Sequence, residues 1–266
     1  VLQWSRNLLD DRNVWHRLTL FRIPLLVVAL FVVGLGYSTL PAAAKLLCTA
    51  PDALEQFRQP MPSFKAAIDA GGPIRIVALG SSSTSGAGAT RRDRTYPARL
   101  SRRLGMRFPT HHVRVFNRGK GGELARHMLA RLSRDVLALK PHVVLWQTGV
   151  NDAIRHVDMD EFRATLDQGL RLMREAGIDV VLMDQQYYPR SVNVRGYGAY
   201  LDLLRRIGRD HGVPVFRRYE LMTHLVESAQ YKVEDLLAAD RFHLNDRSYA
   251  CVGRVLADAL AASVEN

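Results

Sequence analysis

From residue 73 onward the chain alternates short runs rich in β-branched residues with longer stretches of helical spacing, and this alternation restricts the fold more than any single motif does. Repeated strand-helix-strand units build a parallel sheet with helices on both faces. The runs are IRIVAL at 74–79, HVRVFN at 112–117, HVVLWQT at 142–148, DVVLMDQ at 179–185 and VPVFR at 213–217. Helical patterns lie near 94–106, 123–139, 159–176 and 197–211, with a last one near 246–263. In the third of these, Phe162, Leu166, Leu170 and Met173 recur at spacings of four, four and three, and Gly177 closes the pattern. The expected fold class is α/β: a three-layer α/β/α sandwich around a five-stranded, mainly parallel sheet.

Residues 1–44 follow different rules. Arg6, Arg12, Arg17 and Arg22 precede the uncharged run IPLLVVALFVVGLGYSTL at 23–40, which reaches the lower limit of a membrane-spanning helix. Two readings stay open: a retained N-terminal hydrophobic helix that anchors the chain, or a signal segment cut after Ala44, where PAAAK offers small residues. Either sends the rest of the chain across the membrane, because the arginines stay on the cytoplasmic side. The expectation is an envelope protein with its main domain outside the cytoplasm, in the periplasm, or secreted. Residues 45–72 read as a linker with one helix, and 73–266 as the main domain.

Composition removes several function classes. Two cysteines, Cys48 and Cys251, show no CxxC spacing, so neither a zinc site nor a redox pair is signalled, and Cys251 reads as a small apolar helix residue. The excess of 37 Lys and Arg over 26 Asp and Glu, net +11, is scattered over several helical patterns without interleaved aromatics. That suits an anionic surface such as phospholipid or acidic glycan, and does not match a nucleic-acid module.

In such a sheet, ligands bind beyond the carboxyl ends of the strands. Those ends carry GSSSTSGAGA at 80–89, RGKGGE at 118–123 and GVND at 149–152. The first is no phosphate loop, since five residues separate Gly80 from Gly86 and no lysine follows, and Arg91 stands where a dinucleotide motif needs its third glycine. A serine nucleophile fits better, but needs a base. Asp240 stands three residues before His243, just ahead of the last helix, so its carboxylate can orient the imidazole. His111 and His112 are adjacent on a strand, face opposite ways and read as structural; no metal motif is present.

The blocks Gly80-Ser81-Ser82-Ser83-Thr84, Asn117 to Gly122, Gly149-Val150-Asn151-Asp152 and Asp240-Arg241-Phe242-His243 come in the order and strand context of the SGNH (GDSL-type) hydrolases, which residues 73–264 resemble. The resemblance implies Ser82 as nucleophile, His243 as base and Asp240 as its orienting carboxylate. It implies oxyanion donors at the backbone N–H of Ser82 and Gly122 and the side-chain amide of Asn151. Ser81 replaces the family's aspartate, and Ser83 and Thr84 read as structural hydroxyls. No cofactor is implied.

The function expected is acyl-ester hydrolysis through an acyl-serine, on lysophospholipid-like, simple or acetyl esters. O-acyl transfer to envelope glycans, or glycan or lipid binding without catalysis, are the alternatives. The loop QQYYPRSVNVRGYG at 185–198 offers Tyr187, Tyr188, Arg190, Arg195 and Tyr197 either as substrate contacts or as a loop packed on itself.

Overall fold

The computed structural model describes residues 48–265. The five apolar runs form β1 (Ile74–Gly80), β2 (Val113–Gly119), β3 (Val143–Gln147), β4 (Asp179–Met183) and β5 (Val215–Phe216). They pair in the order β2-β1-β3-β4-β5, every pairing parallel. From β1 the chain steps outward to β2 and then returns to the other side of β1 as β3, so the order reverses between β1 and β3. A crevice opens at the carboxyl ends of such neighbours, because their connections leave in opposite directions.

All five residues of β3 are buried, as in a strand covered on both faces. Helices Ala125–Ala130, Met159–Glu175 and Tyr197–His211 pack in succession as one group. Helices Pro62–Asp69, Tyr96–Arg107 and Asp246–Glu265 pack as another. Gly169 lets the helix Met159–Glu175 seat directly on β3, since a Cβ there would stand 2.4 Å from the ring of Trp146.

Several expectations need correction. The pattern at 123–139 is not one helix but Ala125–Ala130, Leu132–Asp135 and a 3-10 turn at Leu137–Leu139. The break falls at Arg131, whose buried side chain is pulled back toward the ends of β1 and β2. A helix at Arg218–Glu227, unread in the sequence, follows a β5 of two residues.

Residues 48–72, expected as a linker, carry helices Asp52–Glu55 and Pro62–Asp69 and bury Leu54, Met61 and Phe64 in the core. Cys48 and Cys251, for which the sequence signalled no pairing, form a disulfide across 203 residues with Cα atoms 5.7 Å apart. Cys251 is buried as expected, but the segment it meets had no pattern that placed it there. The hydrophobic helix expected within 1–44 lies outside the described residues; among the described residues no helix is long and apolar enough to cross a membrane.

Candidate active site

Strand β1 ends in a turn whose hydroxyls have separate partners. Ser81 is buried and gives both its N–H (3.0 Å) and its hydroxyl (3.2 Å) to Oε1 of Gln147, the last residue of β3. Thr84 donates to the same oxygen at 3.1 Å. Ser83 donates to Oε1 of Gln186 at 2.8 Å, and Ser85 to the carbonyl of Ser82 at 2.9 Å. Among these, Ser82 alone turns its Oγ to a histidine, with Nε2 of His243 at 2.8 Å. It opens the short helix Ser82–Ser85, which Gly86 closes in a left-handed conformation.

The histidine sits on a loop closed by its own backbone. The N–H of Ala238 donates to the carbonyl of His243 (2.8 Å), and that of Arg241 to the carbonyl of Ala238 (2.9 Å). Leu237 and Leu244 form an antiparallel bridge beneath it. Within the loop, Asp240 folds back as its spacing predicts: Oδ2 lies 2.6 Å from Nδ1 of His243, and Oδ1 accepts the N–H of Phe242 (3.0 Å) and of His243 (2.9 Å). Burial opposes the charged form of Asp240, but the bond to the imidazole and the two N–H donors outweigh it and hold the carboxyl below its usual range. An ionised carboxylate only accepts, so Nδ1 carries the proton and Nε2 is left to accept from Ser82.

The second and third blocks meet at the same place. Gly121 passes beside Ser82, and a Cβ on it would stand 4.0 Å from Cβ of Ser82. Gly122 has φ +75°, which glycine adopts without strain. Asn151, in the helix Val150–Ile154 after β3, donates from Nδ2 to the carbonyl of Glu123 at 2.8 Å, and keeps a second amide hydrogen. Thus the loops after β1, β2 and β3 carry Ser82, Gly122 and Asn151, the glycine loop passing beside Ser82 and Asn151 holding that loop through Glu123.

Four side chains to which sequence reasoning gave no role, Asp152 among them although it lies in a quoted block, hold these loops in place. Arg131 binds the carboxylate of Glu123 (2.6 Å) and the carbonyls of Gly80 (3.3 Å) and Arg118 (2.9 Å), holding the ends of β1 and β2 to the glycine loop. Asp152 takes the N–H of Ala125 (3.0 Å) and Gly149 (3.3 Å), and its burial raises its pKa against these bonds. Gln147 secures the serine turn. Gln186 accepts from Ser83 and donates to the carbonyl of Phe242 (2.9 Å), so one amide joins the residues next to nucleophile and base. The only hint was position, since Gln147 ends one strand and Gln186 follows another.

The loop at 185–198 divides. Tyr188 and Tyr197 are buried, not presented to a ligand. Tyr188 packs edge-on against Phe242 (centroids 4.8 Å), which packs likewise on His243 (4.7 Å), so Tyr188 walls the catalytic loop from behind. The Tyr197 hydroxyl donates to the carbonyl of Gln186 at 2.7 Å. Tyr187, half-buried, packs on Tyr219. Arg190 and Arg195 are exposed.

Residues 47–266 match the model of the non-GDSL lipase-like family. The chain belongs to that family. Its name accords with Gly80-Ser81-Ser82 in place of Gly-Asp-Ser. Among curated proteins, an acetylxylan esterase of Geobacillus stearothermophilus is 38% identical over 69 residues, 22% of this chain and 32% of the relative, so the match spans about a third of that protein. Among solved structures, a two-domain esterase active on acetylated mannans aligns with TM-score 0.68 at 22% identity, over 80% of this chain and 55% of the other. LAE5, an α/β hydrolase enzyme from the metagenome of Lake Arreo, Spain, aligns with TM-score 0.59 at 26% identity, over 71% of this chain and 95% of its own.

Proposed function

We propose that this chain is a serine esterase that cleaves acyl esters through an acyl-serine, with acetyl esters of glycans as its substrate class. The observation that carries this reading is the continuous line from Asp240 through His243 to Ser82, with hydrogen bonds of 2.6 and 2.8 Å. His243 takes the proton of Ser82 as Oγ attacks the ester carbonyl, and we assign stabilisation of the tetrahedral oxyanion to the N–H groups of Ser82 and Gly122 and the amide of Asn151. The imidazolium, stabilised by Asp240, returns the proton to the leaving alcohol. Water then attacks the acyl-serine with the same histidine as base, releasing the acid and Ser82.

Two supports favour acetylated glycans: the local identity to an acetylxylan esterase, and a site corner built of short polar groups and glycines. We infer further that the domain lies outside the cytoplasm, in an anchored or secreted protein. The disulfide supports this, because such bonds persist in oxidising compartments.

The test is labelling of the purified protein with a fluorophosphonate, alongside Ser82→Ala and Ser83→Ala, and release of acetate from acetylated xylo-oligosaccharide. Labelling lost in Ser82→Ala and kept in Ser83→Ala, with acetate released, is the expected result. Labelling that survives Ser82→Ala would refute it.

A further inference from the structure

Beside the loop that carries His243 lies a cleft of about 620 Å³ lined by Pro189 and Arg190 of the loop after β4, by Val233 and Glu234, and by Leu237 to Ala239 and Arg241 of the segment leading to the histidine. It shares a loop with the site. Ala238, in its wall, donates its N–H to the carbonyl of His243, and Arg241 is the next residue after Asp240. The loop therefore has two faces: Asp240 and His243 bond toward Ser82, while Ala238, Ala239 and Arg241 line the cleft. Arg241 adopts φ +55°, a left-handed conformation uncommon outside glycine, within the turn that keeps Asp240 on the histidine.

The cleft's charges are unspent. Arg190 and Arg241 are exposed, and neither guanidinium forms a hydrogen bond or salt bridge with a described residue. They differ in this from Arg131, which binds Glu123 and Asp135, and Arg205, which binds Asp184. A guanidinium is a planar donor fork that suits a carboxylate, and two on one cleft leave a positive balance after Glu234 is counted. Glu234 adds an acceptor for hydroxyl groups. Guanidinium and carboxylate groups set among Pro189, Val233 and Leu237 fit a sugar acid, the apolar side chains against the C–H face of its ring and the arginines at its carboxylate.

Resting on the esterase reading, we propose that this cleft is a subsite for an acidic sugar of the acylated glycan, with Arg190 and Arg241 taking its carboxylate while the neighbouring ester reaches Ser82. The enzyme then selects acetylated glycans that carry uronate-like residues.

The experiment compares kcat/KM on acetylated oligogalacturonate, neutral acetylated xylo-oligosaccharide, lysophosphatidylglycerol and p-nitrophenyl acetate, for the parent and the Arg190→Gln/Arg241→Gln double variant. The expected parent preference for the acidic over the neutral glycan is about fivefold or more, the scale of partly exposed charge contacts, and it shrinks with added salt. In the double variant that preference collapses, chiefly through KM. A parent without the preference, or a double variant that keeps it, would overturn the subsite, as would lysophosphatidylglycerol exceeding both glycans. If p-nitrophenyl acetate is hydrolysed in those cases, only the subsite is lost. If no ester is hydrolysed and no fluorophosphonate binds, the esterase reading fails and the subsite with it.

Discussion

The Nε2 of His243 stands 2.8 Å from Oγ of Ser82 across 161 residues of chain, and its Nδ1 stands 2.6 Å from Asp240. The second contact determines the use of the first, because only an imidazole with its proton on Nδ1 can accept from the serine. Asp240→Asn removes that constraint while keeping size and shape. We expect kcat on p-nitrophenyl acetate to fall by about 10⁴ with the fold unchanged by circular dichroism. A loss under tenfold would mean that another group sets the tautomer.

Asn151 gives one amide hydrogen to Glu123 and has the other for an oxyanion. Asn151→Ala should lower kcat by about 10² to 10³ and leave KM near the parent's, since the bond is made most strongly in the transition state. Equal losses in kcat and in thermal stability would point instead to a purely structural tie between the helix and the glycine loop.

Gln186 is a positioning residue, bonded to Ser83 on one side and Phe242 on the other. Gln186→Leu leaves a buried hydroxyl and a carbonyl without their partner, at a cost of about 1–3 kcal/mol. Turnover should drop roughly tenfold with KM little changed, as nucleophile and base lose their shared brace. Gln186→Glu keeps an acceptor for Ser83 but loses the donor to Phe242, and its kcat should fall between the two. Identical kcat in all three proteins would show that the brace does not govern the serine–histidine distance.

The parallel sheet was legible because β-branched runs and helical spacing are local signals. The relation of Ser82 to His243 was legible only through the order of four short blocks. What escaped was set by tertiary contact. Arg131 breaks a helix to reach two strand ends, and no pattern in 123–139 distinguishes it from the solvated Arg134. Tyr188 and Arg190 are two residues apart in one polar loop, yet one is buried behind the histidine and the other lines a cleft. Cys48 lay in a stretch with little periodicity, so nothing linked it to Cys251.

That disulfide closes a loop of nearly the whole domain and fixes the segment 48–72 to the last helix, where Arg254 also binds Glu55 at 2.8 Å. Cys48→Ser/Cys251→Ser should cost about 2–5 kcal/mol, roughly 5–15 °C in Tm, while activity at 25 °C stays near the parent's because the pair lies away from the triad. The parent treated with dithiothreitol should match the double variant. An unchanged Tm would mean that the packing of Leu54, Met61 and Phe64 alone holds the segment.

Asp179, at the start of β4, accepts the N–H of Phe64 at 2.8 Å from the helix Pro62–Asp69. Burial raises its pKa to about 6, and the N–H donors of Phe64 and Ser63 offset only part of that. The folded chain therefore keeps a proton that the unfolded chain releases near pH 4, and the stability this carboxyl contributes below pH 4 is lost as pH rises through about 6. Asp179→Asn retains an acceptor for Phe64 and cannot ionise. The Tm of the parent minus that of the variant should decline between pH 4 and 6 by about 2–4 °C, on the order of 1 kcal/mol once partial exposure is discounted. A difference that rises with pH would show that the ionised carboxylate gains more from the helix N-terminus than it loses by burial.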